Sequence, residues 1–184
     1  MIKIMTERLE IRDHVQDDLN DLHSLISNDE VMYFLPEIKT SSLDESQQNL
    51  NVSLKEINNK NRTKYFFAVV CKITKEYIGE IGIMKTAECS EGNIMNLGYF
   101  ILKKHWGKGI IPEASKAVID YAFKHLNTLK IETGCAKVNN KSERVMEKIG
   151  LIKEAELLKH AVIHNKLYDR VEYRILKEEW NKVR

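Results

Sequence analysis

"ERLEIRD" sets Leu9 and Ile11 against charged neighbours in alternation, the mark of a half-buried strand. Leu19, Leu22, Leu25 and Ile26 then recur at helical spacing, and Asp17 or Asp18 stands where an N-cap belongs. Between Val31 and Thr40 the pattern breaks, and Pro36 marks a turn. Ser42 followed by Glu45 has the form of a capping box, opening a helix along Leu50, Leu54 and Ile57 that stops at the polar "NNKN". "YFFAVVCKI" and "YIGEIGIMK" predict two strands joined by a charged turn from Thr74 to Glu76. "TAECSEGN" reads as a loop, and "IMNLGYFIL" as a third strand. A Gly-Lys-Gly turn leads at once into a helix ending near His125. "LKIETGCAKV" predicts a strand, and "KSERVMEKIG" a short helix with Gly150 as its C′ residue. Two closing strands run from about Leu151 to Val162 and from Leu167 to Leu176, and "KEEWNKVR" reads as a solvated terminal turn. This order places mixed strands and helices around one sheet, an α/β (α+β) architecture with a β-α-β crossover at its centre.

Composition narrows the class. At 184 residues, with no repeat and no Ser/Pro linker, the chain reads as a single domain, 1–184. A net charge of +2 gives no pull toward nucleic acid or an acidic membrane surface. Cys71, Cys89 and Cys135 are an odd number without a CxxC pair, which argues against a disulfide framework or a zinc site. No run reaches the ~18 apolar residues of a membrane span, and the N-terminus lacks a signal-peptide core. The expected compartment is the cytoplasm.

The Gly-Lys-Gly turn carries the first chemistry. A helix start leaves about four backbone N–H groups without internal partners and bears the positive end of the macrodipole. Gly107 and Gly109 leave those amides open to an anion, Pro112 costs the first turn no hydrogen bond, and Lys104, His105 and Lys108 add positive charge. A pyrophosphate fits such a site. The P-loop pattern is absent, and Pro112 stands where a dinucleotide fingerprint needs its third glycine.

"KHWGKG", from Lys104 to Gly109, resembles the Q/R-x-x-G-x-G/A acetyl-CoA loop of the GNAT superfamily of N-acetyltransferases, with Lys at the first position. "WGKG" followed by Glu113 and Ala114, and Gly98-Tyr99 in the preceding strand, are similar to its RimJ/RimL-type ribosomal-protein branch. "NNKSERVMEKIGL" resembles the branch's N-x-x-S-x-x-x-x-E-K-x-G-F, with Leu151 in place of Phe. "TERLEIR" and "YDRVEY" match its first and last strands, so the resemblance spans nearly the whole chain.

The resemblance implies a mixed, mostly antiparallel sheet of six to seven strands flanked by about four helices. A splayed parallel strand pair would hold acetyl-CoA. It implies coenzyme contacts from Tyr99, Ile101, Lys104, Trp106, Gly107, Lys108, Gly109, Ile110, Asn139 and Ser142, with an oxyanion donor among the backbone amides from Tyr99 to Ile101. Trp106 either covers the coenzyme or anchors the turn. Many relatives place an acidic tyrosine seven residues after the motif asparagine; here that residue is Met146, which leaves Ser142 as the expected acid or, alternatively, as a helix cap. Glu80, on a central strand, is the first choice of base, with a water chain as its rival and Asn96 unable to serve. Glu113 is expected to tie down its own helix start. Tyr33, Phe34 and Tyr168, with Asp169 nearby, fall where the fold builds its acceptor pocket.

The acceptors in view are a protein N-terminal α-amine, as in the ribosomal branch, or a polyamine or aminoglycoside. An α-amine, with pKa near ~8, is roughly a tenth neutral at pH 7, whereas lysine is neutral in only about one part in a few thousand. A weak base therefore suits the α-amine. A non-catalytic acyl-CoA-binding module is the rival from another class. A monomer or homodimer without metal is expected; His160 and His164 lack a third ligand.

Overall fold

The computed structural model describes residues 1–182. Its centre is an eight-stranded sheet in the order β1-β2-β3-β4-β5-β6-β8-β7. The strands are β1 (Lys3–Met5), β2 (Leu9–Asp13), β3 (Lys64–Cys71), β4 (Tyr77–Cys89), β5 (Gly92–Ile101), β6 (Thr128–Ala136), β7 (Ile152–Ile163) and β8 (Lys166–Leu176). Every neighbouring pair is antiparallel except β5–β6, which is parallel and bridged by a helix as a parallel crossover requires. This is the mixed, mostly antiparallel α+β arrangement that the resemblance implies, with β5–β6 as its parallel pair.

Helices cover both faces. On one lie α1 (Leu19–Ile26), α2 (Asp29–Met32) and α3 (Leu43–Ile57); on the other lie α4 (Ile110–His125), α5 (Asn140–Ile149) and α6 (Lys177–Trp180). Strand parity sorts the core between them. Phe67, Val69, Ile81 and Ile83 join Val118, Ile119 and Met146 on the α4–α5 face. Ala68, Val70 and Tyr77 join Leu22, Leu25 and Leu50 on the α1–α3 face. A sheet buried on both faces needs near-continuous apolar strands, which is what "YFFAVVC" is.

The sheet exceeds the six to seven strands expected from the resemblance. β1 adds a short strand whose Lys3 pairs with Arg12. Three residues, none of them fully buried, leave little alternation to read. "TAECSEGN" is not a loop: β4 and β5 continue as an exposed hairpin to Cys89 opposite Gly92, held by ladder bonds that polar side chains do not reveal. Asp18 does not cap α1; its Oδ2 accepts Val15 N–H at 2.9 Å in the 3-10 turn ahead of the helix. Ser42 caps α3 through Glu45 N–H, while Glu45 reaches back to Ser41 N–H rather than to Ser42.

The chain end also differs from expectation. Lys177–Trp180 is a helical turn, and Trp180 is 4% exposed, with its ring 6.5 Å from that of Phe123 and its indole N–H on Asp120 at 2.6 Å. One aromatic among charged residues gives no periodicity, so only the packed sheet shows it as core; Val183 and Arg184 lie outside the described residues. Trp180→Ala is expected to destabilise the protein by about 3–5 kcal/mol, and Trp180→Phe by clearly less, in urea unfolding. A cost within 0.5 kcal/mol for the alanine variant would return this segment to the solvated class.

Candidate active site

The parallel ladder between β5 and β6 ends at Asn96 opposite Glu132. Beyond it β5 stays paired only with β4, from Gly98–Gly82 to Ile101–Gly79, and β6 only with β8, from Thr133–Tyr173 to Ala136–Arg170. The two strands part. Main-chain groups alternate between strand edges, so Leu97, Tyr99 and Ile101 share the β6-facing edge. Thr133 Oγ1 donates to the Leu97 carbonyl at 2.7 Å, and Trp106 Nε1 to the Ile101 carbonyl at 2.9 Å. The main chain of Tyr99 is left between them, facing the gap.

At the end of β5 the chain passes through a 3-10 turn at Lys103–His105, and Trp106 is extended. Gly107 and Gly109 adopt φ of +76° and +74°, where a side chain would be strained, and Gly109 is the N-cap of the 16-residue α4. Nothing lies within 4 Å of where a Gly107 Cβ would stand. Trp106 anchors the turn through its indole, and Lys141 Nζ sits 3.9 Å from its ring centroid. The expected local charge is partly withdrawn: Lys104 and His105 both engage Glu76, at 2.5 and 3.3 Å.

Arg8, to which the local pattern assigns no role, brings a guanidinium to the turn instead. Arg8 donates from Nη1 to the Lys108 carbonyl at 3.0 Å and from Nε to Glu113 at 2.6 Å. Glu113 also accepts Thr6 Oγ1 and Arg8 N–H, so it ties the N-terminal segment to α4 rather than capping its own helix. Burial raises the Glu113 pKa, but these hydrogen bonds outweigh it and hold the group below the usual range. The only signal in the sequence was "TER" ahead of a strand, and the partner lies 105 positions away.

The far end of the gap is set by α5. Asn139 Oδ1 accepts Ser142 N–H at 3.3 Å, so Asn139 is the helix cap and the Ser142 hydroxyl is not spent on capping. The Tyr99 hydroxyl donates to the Ser142 carbonyl at 3.2 Å and lies 3.1 Å from Ser142 Oγ. Burial pushes the Tyr99 phenol well above its ordinary pKa, keeping it neutral. Cys135 adjoins Ser142, and burial pushes its thiol up to about 11, which suppresses the nucleophilic thiolate. Met146 is fully buried core.

Glu80 belongs to the opposite sheet face, across from Phe100 and Ala68. Its carboxylate meets His14 Nε2 at 3.1 Å; His14 Nδ1 lies 3.3 Å from Asp18, and Arg12 grips Asp18 through two nitrogens at 2.7 and 2.8 Å. Burial pulls the His14 pKa down, but the two flanking carboxylates outweigh it and carry it up to about 9. At neutral pH an imidazolium therefore faces Glu80. On the same face Gly98 has open space where a Cβ would stand.

An open cleft of about 410 Å³ lies between α2 and the β7–β8 hairpin, lined by Asp29, Met32, Tyr33, Lys39, His164, Lys166 and Tyr168. His164 Nε2 bonds the Tyr33 carbonyl at 2.9 Å, joining hairpin tip to α2. Tyr33 and Tyr168 are thus brought together, while Phe34 meets the Tyr33 ring edge-on at 4.9 Å. Asp169 accepts Lys159 N–H at 2.9 Å and pins the irregular stretch of β7. Among the described residues no cluster of three or more His, Cys, Asp or Glu is placed to hold a metal, and no helix is long and apolar enough to cross a membrane.

A parted parallel strand pair, a glycine turn at a helix start and a hydroxyl pair at the far end thus lie along one gap. Residues 8–152 match the Acetyltransferase (GNAT) domain family. The chain is 30% identical over 180 residues to the uncharacterized N-acetyltransferase YnaD of Bacillus subtilis (strain 168), covering 97% of this chain and 99% of that one. The spermidine N-acetyltransferase of Vibrio cholerae, solved with CoA and spermine, superposes with a TM-score of 0.81 at 24% identity, over 96% of this chain and 99% of that one. The ribosomal-protein-S5-alanine acetyltransferase of Vibrio fischeri gives 0.84 at 22%, over 98% and 99%. The chain belongs to the GNAT acetyltransferase family, and it is an N-acetyltransferase that uses acetyl-CoA.

The His14 pairing has a pH signature. Its folded pKa of about 9 exceeds the ordinary 6.5, so its contribution is complete below about pH 6.5 and is lost as pH rises through 9. The loss is on the order of 3 kcal/mol. His14→Asn is expected to flatten the stability profile between pH 6.5 and 9 in urea titrations; an unchanged slope would rule the pairing out.

Proposed function

We propose that the protein acetylates the α-amine of a peptide or protein N-terminus by direct attack within a ternary complex. The observation carrying this reading is the charge lining the acceptor cleft. Lys39 and Lys166 face one carboxylate, Asp29, which is already paired with Lys39 at 2.5 Å. A polyamine or aminoglycoside carries several positive charges and needs carboxylates at such an entrance. A peptide needs one neutral amine, and its aliphatic and amide groups pack on the Tyr33 and Tyr168 rings.

Strand parity supports the division of labour. Glu80 and the cleft lie on the α1–α3 face, while Tyr99 and Ser142 meet on the α4–α5 side. The amine enters from the first face, with Glu80 as the group that receives its proton. The Tyr99 N–H, on the unpaired strand edge, faces the developing oxyanion. Because the Tyr99 phenol proton is spent on the Ser142 carbonyl, the Ser142 hydroxyl can donate to the departing thiolate. Backbone amides from Trp106 to Ile110 hold the diphosphate, with Lys108 at its rim and Lys104 held back on Glu76, while Asn139 and Ile101 border the pantetheine channel. A suppressed Cys135 thiolate favours direct attack over a covalent intermediate. We place this activity in the cytoplasm, where three unpaired cysteines stay reduced.

Coenzyme A release measured with N-terminal peptides, spermidine and an aminoglycoside tests the acceptor. Turnover with peptides is expected; turnover with the polycations alone would overturn the reading. Tight acetyl-CoA binding without release on any amine would point to a non-catalytic module. Ser142→Ala should lower kcat by about a hundredfold with little change in acetyl-CoA affinity. Gly109→Val, strained at φ +74°, should abolish coenzyme binding in titration calorimetry.

A further inference from the structure

We infer that Arg8 is a coenzyme-binding residue whose free guanidinium nitrogen donates to the diphosphate at the glycine turn; this rests on the acetyl-CoA reading of that turn. The guanidinium is a rigid planar fork, and two of its three nitrogens are committed. Nε is on Glu113 at 2.6 Å and Nη1 on the Lys108 carbonyl at 3.0 Å, so the plane is locked to both the helix and the turn. Nη2 has no hydrogen bond among the described residues. It stands 3.5 Å from where a Gly109 Cβ would be, on the side that a glycine leaves open.

Electrostatics favour a cation there. Glu113 is an ionised carboxylate in the first turn of α4, beside the amides offered to the anion. A dianionic diphosphate would be repelled by it. Lys104 and His105 are engaged with Glu76, and Lys141 is stacked on Trp106, which leaves Lys108 in the turn itself and Arg8 across from it. Arg8 both neutralises Glu113 and presents a charged donor, and its side chain remains 46% exposed, open to a ligand. Glu113, Thr6 and the Arg8 main chain then serve to aim that one group.

The test uses Arg8→Gln and the double variant Arg8→Gln/Glu113→Gln, with apo thermal melts as a fold control. Titrations use CoA and 3′-dephospho-CoA, and kinetics use acetylpantetheine, which lacks the diphosphate. Arg8→Gln is expected to weaken CoA and 3′-dephospho-CoA alike, by about ten- to a hundredfold, and to shallow the salt dependence of binding. Its kcat/KM for acetylpantetheine should match the wild type. The double variant should recover only part of that loss, because the repulsion by Glu113 is gone but so is the Arg8 donor.

Wild-type affinity in the double variant would show that Arg8 only masks Glu113, and would overturn the inference. A loss confined to CoA would move the contact to the 3′-phosphate, and an equal loss with acetylpantetheine would make Arg8 structural; either result overturns it. Unchanged binding overturns it alone, whereas a wild type that binds no CoA removes the coenzyme reading itself.

Discussion

The parting of β5 from β6 is the constraint on which the rest of the molecule depends. Separating two central strands strips main-chain donors and acceptors of their partners, and buried groups left so cost about 1–3 kcal/mol each. The chain recovers part of that loss with side chains: Thr133 on the Leu97 carbonyl, the Trp106 indole on the Ile101 carbonyl. What remains unpaired is, on the proposed reading, open to the coenzyme. α4 and α5 both begin at the rim of the parting, and on the proposed reading one helix start faces the diphosphate end and the other the reacting end.

Around this gap the two sheet faces do different work. One carries the Tyr99–Ser142 hydroxyl pair over an apolar core, where a neutral phenol is kept neutral. The other carries the buried chain of charges from Arg12 through Asp18 and His14 to Glu80. Buried ions persist only when each is paired, and here every carboxylate has a cation beside it. The arrangement holds Glu80 in a fixed geometry on a rigid central strand. Ion pairing also decides which cations remain for a ligand: Glu76 draws Lys104 and His105 aside, and Arg8 stands nearest Gly109.

Much of this was legible in the chain because it is local. The capped α3, the apolar β3, the glycine turn with its positive φ angles and the Asn139-led start of α5 all follow from residues within a few positions of one another. What was misread has a shared cause. The hairpin at Cys89–Gly92 is exposed and polar, so its strands are defined by backbone pairing rather than by burial. Trp180 becomes core only through Phe123 and Asp120, about 60 positions back. Glu80 could be picked out as a carboxylate in an apolar strand, yet its partner His14, 66 positions away, could not.

By itself, then, the sequence determined the longer helices and the apolar strands, the glycine turn and the residue types available for acyl transfer, because hydrophobic period, capping and permitted φ are short-range properties. Only the tertiary structure decided which charges are free, which are paired, and that Arg8 meets Lys108 and Glu113 across the fold. Ion pairs and hydrogen bonds depend on distances of about 3 Å between groups far apart in the chain, and no local pattern encodes such distances.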